Sequence, residues 1–321
     1  MSFDTNTNLL IGKAERDDTC METWLDLHMH TCCSMDGEFD PADLMQQCAD
    51  AGLRAVSVTD HDSVSAVPKA RETARQLGLH FFPGIEISCQ HKGKNFHLLG
   101  YGIHAEDAVF KEIEMNLHEQ RRANSKKMMD AVEAMGICLD RPKIWSMSLG
   151  GVVASVTIAR AALADPRNDN NTILAPYRPG GTRGNAPYVN FGWDFCGQGG
   201  PAYIPMILPD FAEAVQIIQS HGGAAVLAHP GANMKQNRPI TEALIQCGID
   251  GIEVYCSYHD AETAVFYQQI AQSHHLLATL GSDYHGRAKP HISLGTYSHP
   301  QPQIVYERLC NVIDERNGEV Y

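Results

Sequence analysis

From Trp24 onward, short runs of apolar residues alternate with stretches of helical period. That alternation predicts β/α units around a parallel sheet, because helices cover both faces of buried strands. Seven runs predict strands, at 24–28, 54–59, 81–88, 96–101, 224–228, 251–255 and 277–281. Between the first two, Asp40 and Pro41 supply an N-cap and a first-turn proline, and Gly52 follows Ala51 as a stop, so a helix is predicted there. A second is predicted over 67–77, ended by Gly78. A third covers 209–220, with Phe211, Val215, Ile217 and Ile218 forming its apolar side, and a fourth covers 258–275.

The rhythm breaks between 107 and 203. A long charged helix is predicted over 108–135, followed by Gly- and Pro-rich sequence such as 177–184, which reads as loop. The expected organisation is therefore a polar arm at 1–23, a barrel begun by 24–106, an inserted, mainly helical lobe at 107–203, and a barrel completed by 204–321.

Composition narrows the picture. A chain of 321 residues, 44% hydrophobic, suffices for one large core or a core with a smaller lobe. With 38 acidic against 25 basic residues the net charge is −13, which repels a phosphate backbone and disfavours nucleic acid as a partner. Cations bound in a pocket can reverse that field locally, so acidic small molecules stay in play. The ten cysteines show no CxxC spacing, and the adjacent Cys32 and Cys33 are too cramped for an ordinary disulfide. Reduced, mostly buried thiols and a cytoplasmic location are expected. No apolar run approaches the roughly 18 residues of a membrane span.

The chemistry lies in the placement of polar residues. His28, Asp60, His61, Glu86, His97, His229, Glu253 and Asp283 all fall in or just after a predicted strand. In barrels of parallel strands the strand C-termini converge on one site. Imidazoles and carboxylates without thiolates suit Zn, Mn or Fe, whereas Mg prefers oxygen alone. His28 and His30, two apart at a strand end, point the same way and can grip one cation.

Each residue also has a plainer reading. A single strand histidine is more often a satisfied core residue than a ligand. Asp62 reads equally as a helix N-cap, and 282–286 as a turn. Glu253, Tyr255 and His259 suit either the lining of a pocket or an ordinary strand-to-helix junction, and Cys32 and Cys33 suit packing. The other histidines, at 80, 91, 104, 118, 221, 274, 275, 291 and 299, lack a strand-end setting and read as surface or structural.

Four segments together resemble the PHP, or polymerase and histidinol phosphatase, family: DLHMHT with SMDG at 26–37, VTDHD at 58–62, PGIEIS at 83–88 and GSDYHG at 281–286. FHLLGYGI at 96–103, AHPG at 228–231 and GIEVY at 251–255 extend the likeness. The resemblance implies a distorted (β/α)7 TIM-like barrel carrying two or three divalent ions. It implies one ion on His28, His30, Glu86 and Asp283, a second sharing Glu86 and adding His97 and His229, and a third on Asp36, His61 and His285. The segments look most like a branch that contains nucleoside 3′,5′-bisphosphate phosphatases and a cyclic-phosphate dihydrolase, whose members also carry an inserted lobe. Where many relatives read RPHIAR, this chain reads SVTIAR at 155–160, keeping Arg160 but losing the proline and histidine.

The expected activity is hydrolysis of a phosphate ester of a small nucleotide or sugar, by a hydroxide bridging two ions. His229, His285 or a metal-bound water is the candidate acid for the leaving group. Arg160 is the first candidate for holding a non-reacting phosphate, with Arg178, Arg183, Arg287 and Lys289 behind it, each of which taken singly reads as a solvated surface cation. Three other readings stay open: a 3′-to-5′ exonuclease, a metal-binding barrel without catalysis, and C–N hydrolysis on a similar metal barrel, which the lack of a strand-end lysine suited to carbamylation disfavours.

Overall fold

The computed structural model describes residues 23–34, 36–148, 150–297 and 299–321. Apart from Thr23, the arm expected at 1–23 lies outside them.

The barrel begins with β1 (Leu25–Asp26), α1 (Pro41–Asp50), β2 (Ala55–Val58) and α2 (Val67–Leu77). Asp40 caps α1 by accepting from Ala42 N, and Gly78 ends α2 in the left-handed conformation, as the sequence implies. β3 (His80–His91) and β4 (Lys94–Tyr101) follow. The chain then leaves the barrel through α3 (Ala108–Ala134), α4 (Arg141–Ser146), α5 (Ser155–Ala164) and α6 (Pro187–Phe191). It returns with α7 (Phe211–Ser220), β5 (Ala224–Leu227), α8 (Pro230–Met234), α9 (Arg238–Ile245), β6 (Gly251–Tyr255), α10 (Ala261–Ser273), β7 (Leu277–Leu280) and α11 (Pro302–Glu315).

The strands lie side by side in sequence order, β1 to β7. The ring is nearly closed by the chain beyond the first and last strands: Leu27 N donates to Leu280 O at 3.2 Å, Asp283 N donates to His28 O at 2.8 Å, and Met29 bridges to Tyr284. All-parallel pairing, the sequence expectation, fails at β4, which is antiparallel to both β3 and β5. The cause is local. Only Lys92 and Gly93 join β3 to β4, both at positive φ (49° and 76°), and a two-residue turn of that type makes a hairpin and leaves no room for a crossover helix.

Alternation along the strands sorts the core into two layers. Phe82, Leu99, Tyr101, Val226 and Leu277 pack inside the ring, closed at one end by Val305, Leu309 and Ile313 of α11. Phe81, Ile85, Ile87, Leu98, Leu227 and Ile252 face outward against α1, α2, α7 and α10. A third cluster, including Met129, Ile144, Ile158, Leu174 and Phe191, is the separate core of the mainly helical lobe. The α7 and α10 starts fall at Phe211 and Ala261, capped by Asp210 and Asp260, a few residues inside the predicted ends. Of the nine described cysteines, all unpaired, only Cys48, Cys89 and Cys256 are buried, fewer than composition implied. Among the described residues no helix is long and apolar enough to cross a membrane.

Candidate metal centre

Glu86 sits on the inward face of β3, four residues beyond Phe82, so the alternation that fills the ring with apolar side chains puts this carboxylate at its mouth. It is fully buried, and five imidazoles converge on it. His28 Nε2, His30 Nε2 and His61 Nδ1 lie 3.3, 3.3 and 3.0 Å from Oε2. His97 Nδ1 and His229 Nε2 lie 3.0 and 2.9 Å from Oε1. Asp283 Oδ1 faces His28, His30 and His285 at 3.3, 3.1 and 3.5 Å. Asp36 Oδ2 completes the set, 3.3 Å from His285 Nε2 and 3.8 Å from His61 Nε2.

The nine residues singled out from the sequence as ligands thus meet in one place. Eight of them supply donor atoms to three overlapping groups in which all atoms lie within 4.8 Å of one another: His28, His30, Glu86 and Asp283; His61, Glu86 and His97; and His30, Asp36, His61 and His285. Three details differ from the sets implied by resemblance. His229, although 2.9 Å from Glu86 Oε1, belongs to none of the groups. His61 belongs to two groups, because its two ring nitrogens face Glu86 and Asp36. His30 joins the third.

Neighbouring groups fix the orientations. Glu253 on β6 holds His28 Nδ1 through Oε1 and accepts from His229 N through Oε2, both at 2.8 Å, which turns His28 Nε2 toward Glu86. Ser34 Oγ is 3.0 Å from His30 Nδ1 and accepts from His61 N at 2.8 Å. Asp60 accepts from Thr31 N and Thr31 Oγ1 at 2.6 and 2.7 Å, pinning the His30 loop to β2. His229 and Asp283 both take positive φ (26° and 57°). Such backbone costs about 1–3 kcal/mol in a non-glycine residue and persists where the surroundings enforce it.

The electrostatics match a site built for cations. Burial pushes the Glu86 carboxyl up, but His61, His97 and His28 outweigh it and hold it well below the usual carboxylate range. Asp283 behaves alike, burial being outweighed by Lys289, His285 and His28. Burial, reinforced by His285 and His61, lowers His30 to about 4, so it is a neutral imidazole ready to donate its lone pair. Burial also lowers His97. Asp36 Oδ1, His97 Nδ1, His229 Nδ1 and His285 Nε2 are buried with no properly oriented hydrogen-bond partner. Orphaned donors and acceptors are costly unless something occupies the space between them, and divalent cations fit that chemistry.

Residues 26–138 match the family model of the PHP domain. Over that stretch the chain is similar to the PHP domain. Over 271 residues it is 28% identical to the phosphoribosyl 1,2-cyclic phosphate 1,2-diphosphodiesterase of Eggerthella lenta, spanning 83% of this chain and 97% of that one. It is 28% identical over 271 residues to the 3′,5′-nucleoside bisphosphate phosphatase of Chromobacterium violaceum, spanning 81% and 87%. It is 28% identical over 291 residues to the 5′-3′ exoribonuclease Rnm of Salmonella typhimurium, spanning 88% and 92%. A solved Bifidobacterium adolescentis structure, described as a metal-dependent phosphoesterase, shares the fold with a TM-score of 0.72 at 24% identity, over 90% of this chain and 96% of that one.

The expected phosphate-holding cations have varied settings. Arg160 is exposed and lies 5.5 Å over the Tyr188 ring. Arg178 donates to Asn168 O, and Arg183 forms a two-pronged pair with Asp194, both inside the lobe. Arg287 pairs with Glu38 and is 87% exposed. Lys289 departs from the surface reading: it is buried and donates to Asp283 Oδ2 and, at 2.7 Å, to the Tyr258 hydroxyl. Nor is Asp62 a helix cap. Ala66 occupies that position, while Asp62 takes Ser88 N at 2.6 Å, Ser88 Oγ at 2.8 Å and the Arg121 guanidinium. Glu114 of the same α3 accepts from Ser63 Oγ and Ser65 Oγ at 2.9 and 2.7 Å, so the lobe grips the loop that carries His61.

Sequence reasoning passed over Tyr258 and Arg121. Tyr258 lies just beyond β6 on the site's side of the barrel, a position that would have flagged it. Arg121 stands in a long charged helix, and nothing in the sequence separates it from its solvated neighbours.

Proposed function

We propose that this protein hydrolyses a phosphate ester of a small molecule, a nucleotide or sugar carrying two phosphates or a cyclic one, at the cluster centred on Glu86. The observation that carries the reading is the pair of Glu86 oxygens, one met by three imidazoles and the other by two, each within 3.3 Å. A carboxylate so placed would bridge two ions and set their spacing.

His28, His30, Glu86 and Asp283 would hold one ion, Glu86, His97 and His229 a second, with His61 in reach of it, and Asp36, His61 and His285 a third. Mn, Zn or Fe fits these donors. When bound, such ions polarise phosphoryl oxygens and bring the pKa of water toward about 7. The chain's own part is to hold the ligands rigid, through Glu253, Ser34 and the Asp283 carbonyl, which engages His285 Nδ1 at 2.8 Å. Asp36, His61 and His97, between 20% and 31% exposed, form the side from which substrate enters. His229 and His285 are the candidate donors to the leaving oxygen, and the exposed Arg160, stacked over Tyr188, is the candidate cation for a second phosphate. Nine unpaired cysteines suit a reducing compartment such as the cytoplasm.

Action on RNA is the second reading. The Salmonella relative favours it, with 5′-3′ polarity in place of the 3′-to-5′ direction weighed from sequence. The net charge of −13 opposes a long RNA partner.

The test is removal of metal by chelation, followed by assay of the stripped and Mn- or Zn-restored protein. Substrates would be nucleoside 3′,5′-bisphosphates, phosphoribosyl cyclic phosphate, histidinol phosphate and a short oligoribonucleotide. Loss and recovery of small-ester hydrolysis supports the reading; full activity in the stripped protein overturns it.

A further inference from the structure

Where the barrel mouth meets the lobe, the wall of the cluster is aromatic. The Tyr258 ring lies 5.3 Å from His229 at 63° and 6.4 Å from Trp193 at 61°. Tyr258 comes from the barrel and Trp193 from the lobe, so this ring contact spans the junction between them.

Trp193 is held firmly yet left open. It occupies a single π turn, Gly192–Cys196, a rare geometry concentrated at functional sites. Phe195 anchors the turn on Phe191 and Tyr177, at 4.8 and 5.6 Å between ring centres. Asp194 receives the Tyr177 hydroxyl and the Arg183 guanidinium. A Cβ on Gly192 would lie 2.7 Å from Ser155 Oγ, so the turn rests directly on the start of α5. Trp193 is nevertheless 45% exposed. A turn earlier along the same segment, Tyr188 carries the exposed Arg160 over its ring.

An indole immobilised on one side and open on the other is a stacking surface for a planar, weakly polar ring. Sugars and phosphates offer no such ring; nucleobases do. We propose that Trp193 is the platform on which the base of a nucleoside phosphate stacks while its phosphate reaches the Glu86 cluster. This rests on the phosphoesterase reading above and narrows it, separating base-bearing substrates from base-free sugar phosphates. A base is uncharged, so the acidic surface does not oppose the contact.

The test compares the metal-loaded wild type with Trp193→Ala, Trp193→Phe and, as a control, Trp145→Phe, whose ring has no aromatic contact among the described residues. Calorimetric titration with AMP and with ribose 5-phosphate measures binding. Steady-state kinetics use adenosine 3′,5′-bisphosphate, a base-free sugar bisphosphate and a short 5′-phosphorylated oligoribonucleotide. Trp193→Ala is expected to weaken AMP binding and raise KM for the nucleoside bisphosphate roughly ten- to a hundredfold, the usual worth of one base stack. Trp193→Phe should retain most of the affinity, and ribose 5-phosphate binding should be unmoved. An equal loss for the oligoribonucleotide extends the base source to RNA ends, and a loss confined to the mononucleotide limits it to free nucleotides; both uphold stacking. Equal effects on base-bearing and base-free ligands, or unaltered AMP binding, overturn it while leaving the hydrolase reading intact. If the wild type hydrolyses none of the esters, the hydrolase reading fails, and the AMP titration alone still decides the role of Trp193.

Discussion

His28 Nδ1 lies 2.8 Å from Glu253 Oε1, and both side chains are fully buried. The carboxylate fixes the His28 tautomer, leaving Nε2 free to face Glu86 and Asp283, and its second oxygen ties down the His229 backbone. Glu253→Gln should keep the fold and lower metal affinity or turnover by roughly 10- to 100-fold, the usual effect of removing a ligand's partner. Metal titration of the chelated variant checks this; unaltered affinity would mean that Glu253 only fills space.

Gly281 has no room for a side chain. A Cβ there would lie 2.3 Å from His28 Cβ, 2.8 Å from His28 N and 2.9 Å from Glu253 Oε1. Gly281→Ala should therefore cost about 1–3 kcal/mol of stability by overpacking and displace His28 as well. Thermal melts and metal content measure the two effects, and a variant normal in both would show that the strand ends yield freely.

Among the described residues Lys289 is the one buried lysine, paired with Asp283 and the Tyr258 hydroxyl. Removing one member of a buried ion pair costs about 3–5 kcal/mol, because the other is left uncompensated. Lys289→Met should lower the Tm of the chelated protein more than that of the loaded protein, where a cation stands beside Asp283. Equal losses in both states would place the lysine's role elsewhere.

The cation-free cluster should also respond to pH. Burial opposes charge on His61, but Glu86 and Asp36 outweigh it and raise its pKa to about 9. His28 is raised too, burial being outweighed by Glu253, Glu86 and Asp283. The folded chain thus holds these protons more tightly than the unfolded chain, whose histidines titrate near about 6.5. For His61 the stabilisation is complete below that value and is lost as pH rises through about 9. The Tm of the chelated protein should accordingly fall between pH 6.5 and 9, while ions replacing the protons should flatten the curve. A chelated Tm that climbs across that range would contradict the assignment.

Much of this was legible in the sequence because the informative residues report on local geometry. Asp40-Pro41 and Gly78 mark helix ends through their own backbone preferences; His28, Glu86 and Asp283 fall in or just after predicted strands, and the family resemblance implies their grouping as ligands. The reversal of β4 hid in Lys92-Gly93, since a two-residue turn is a weak signal beside a strong βα rhythm. Lys289, Arg121 and Trp193 were out of reach for another reason. Each acquires its meaning from a partner distant in the chain or in another lobe, such as Tyr258 for Trp193 and Asp62 for Arg121, and a single sequence carries no record of those pairings.

The central claim is that Glu86 stands between cations. Crystals soaked or grown with Mn or Zn, with diffraction recorded on either side of the metal's absorption edge, would locate the ions directly. The account predicts at least two anomalous peaks flanking the Glu86 carboxylate, one beside His28, His30 and Asp283 and one beside His97 and His229. An empty cluster in metal-saturated crystals, or peaks confined to surface carboxylates, would contradict it.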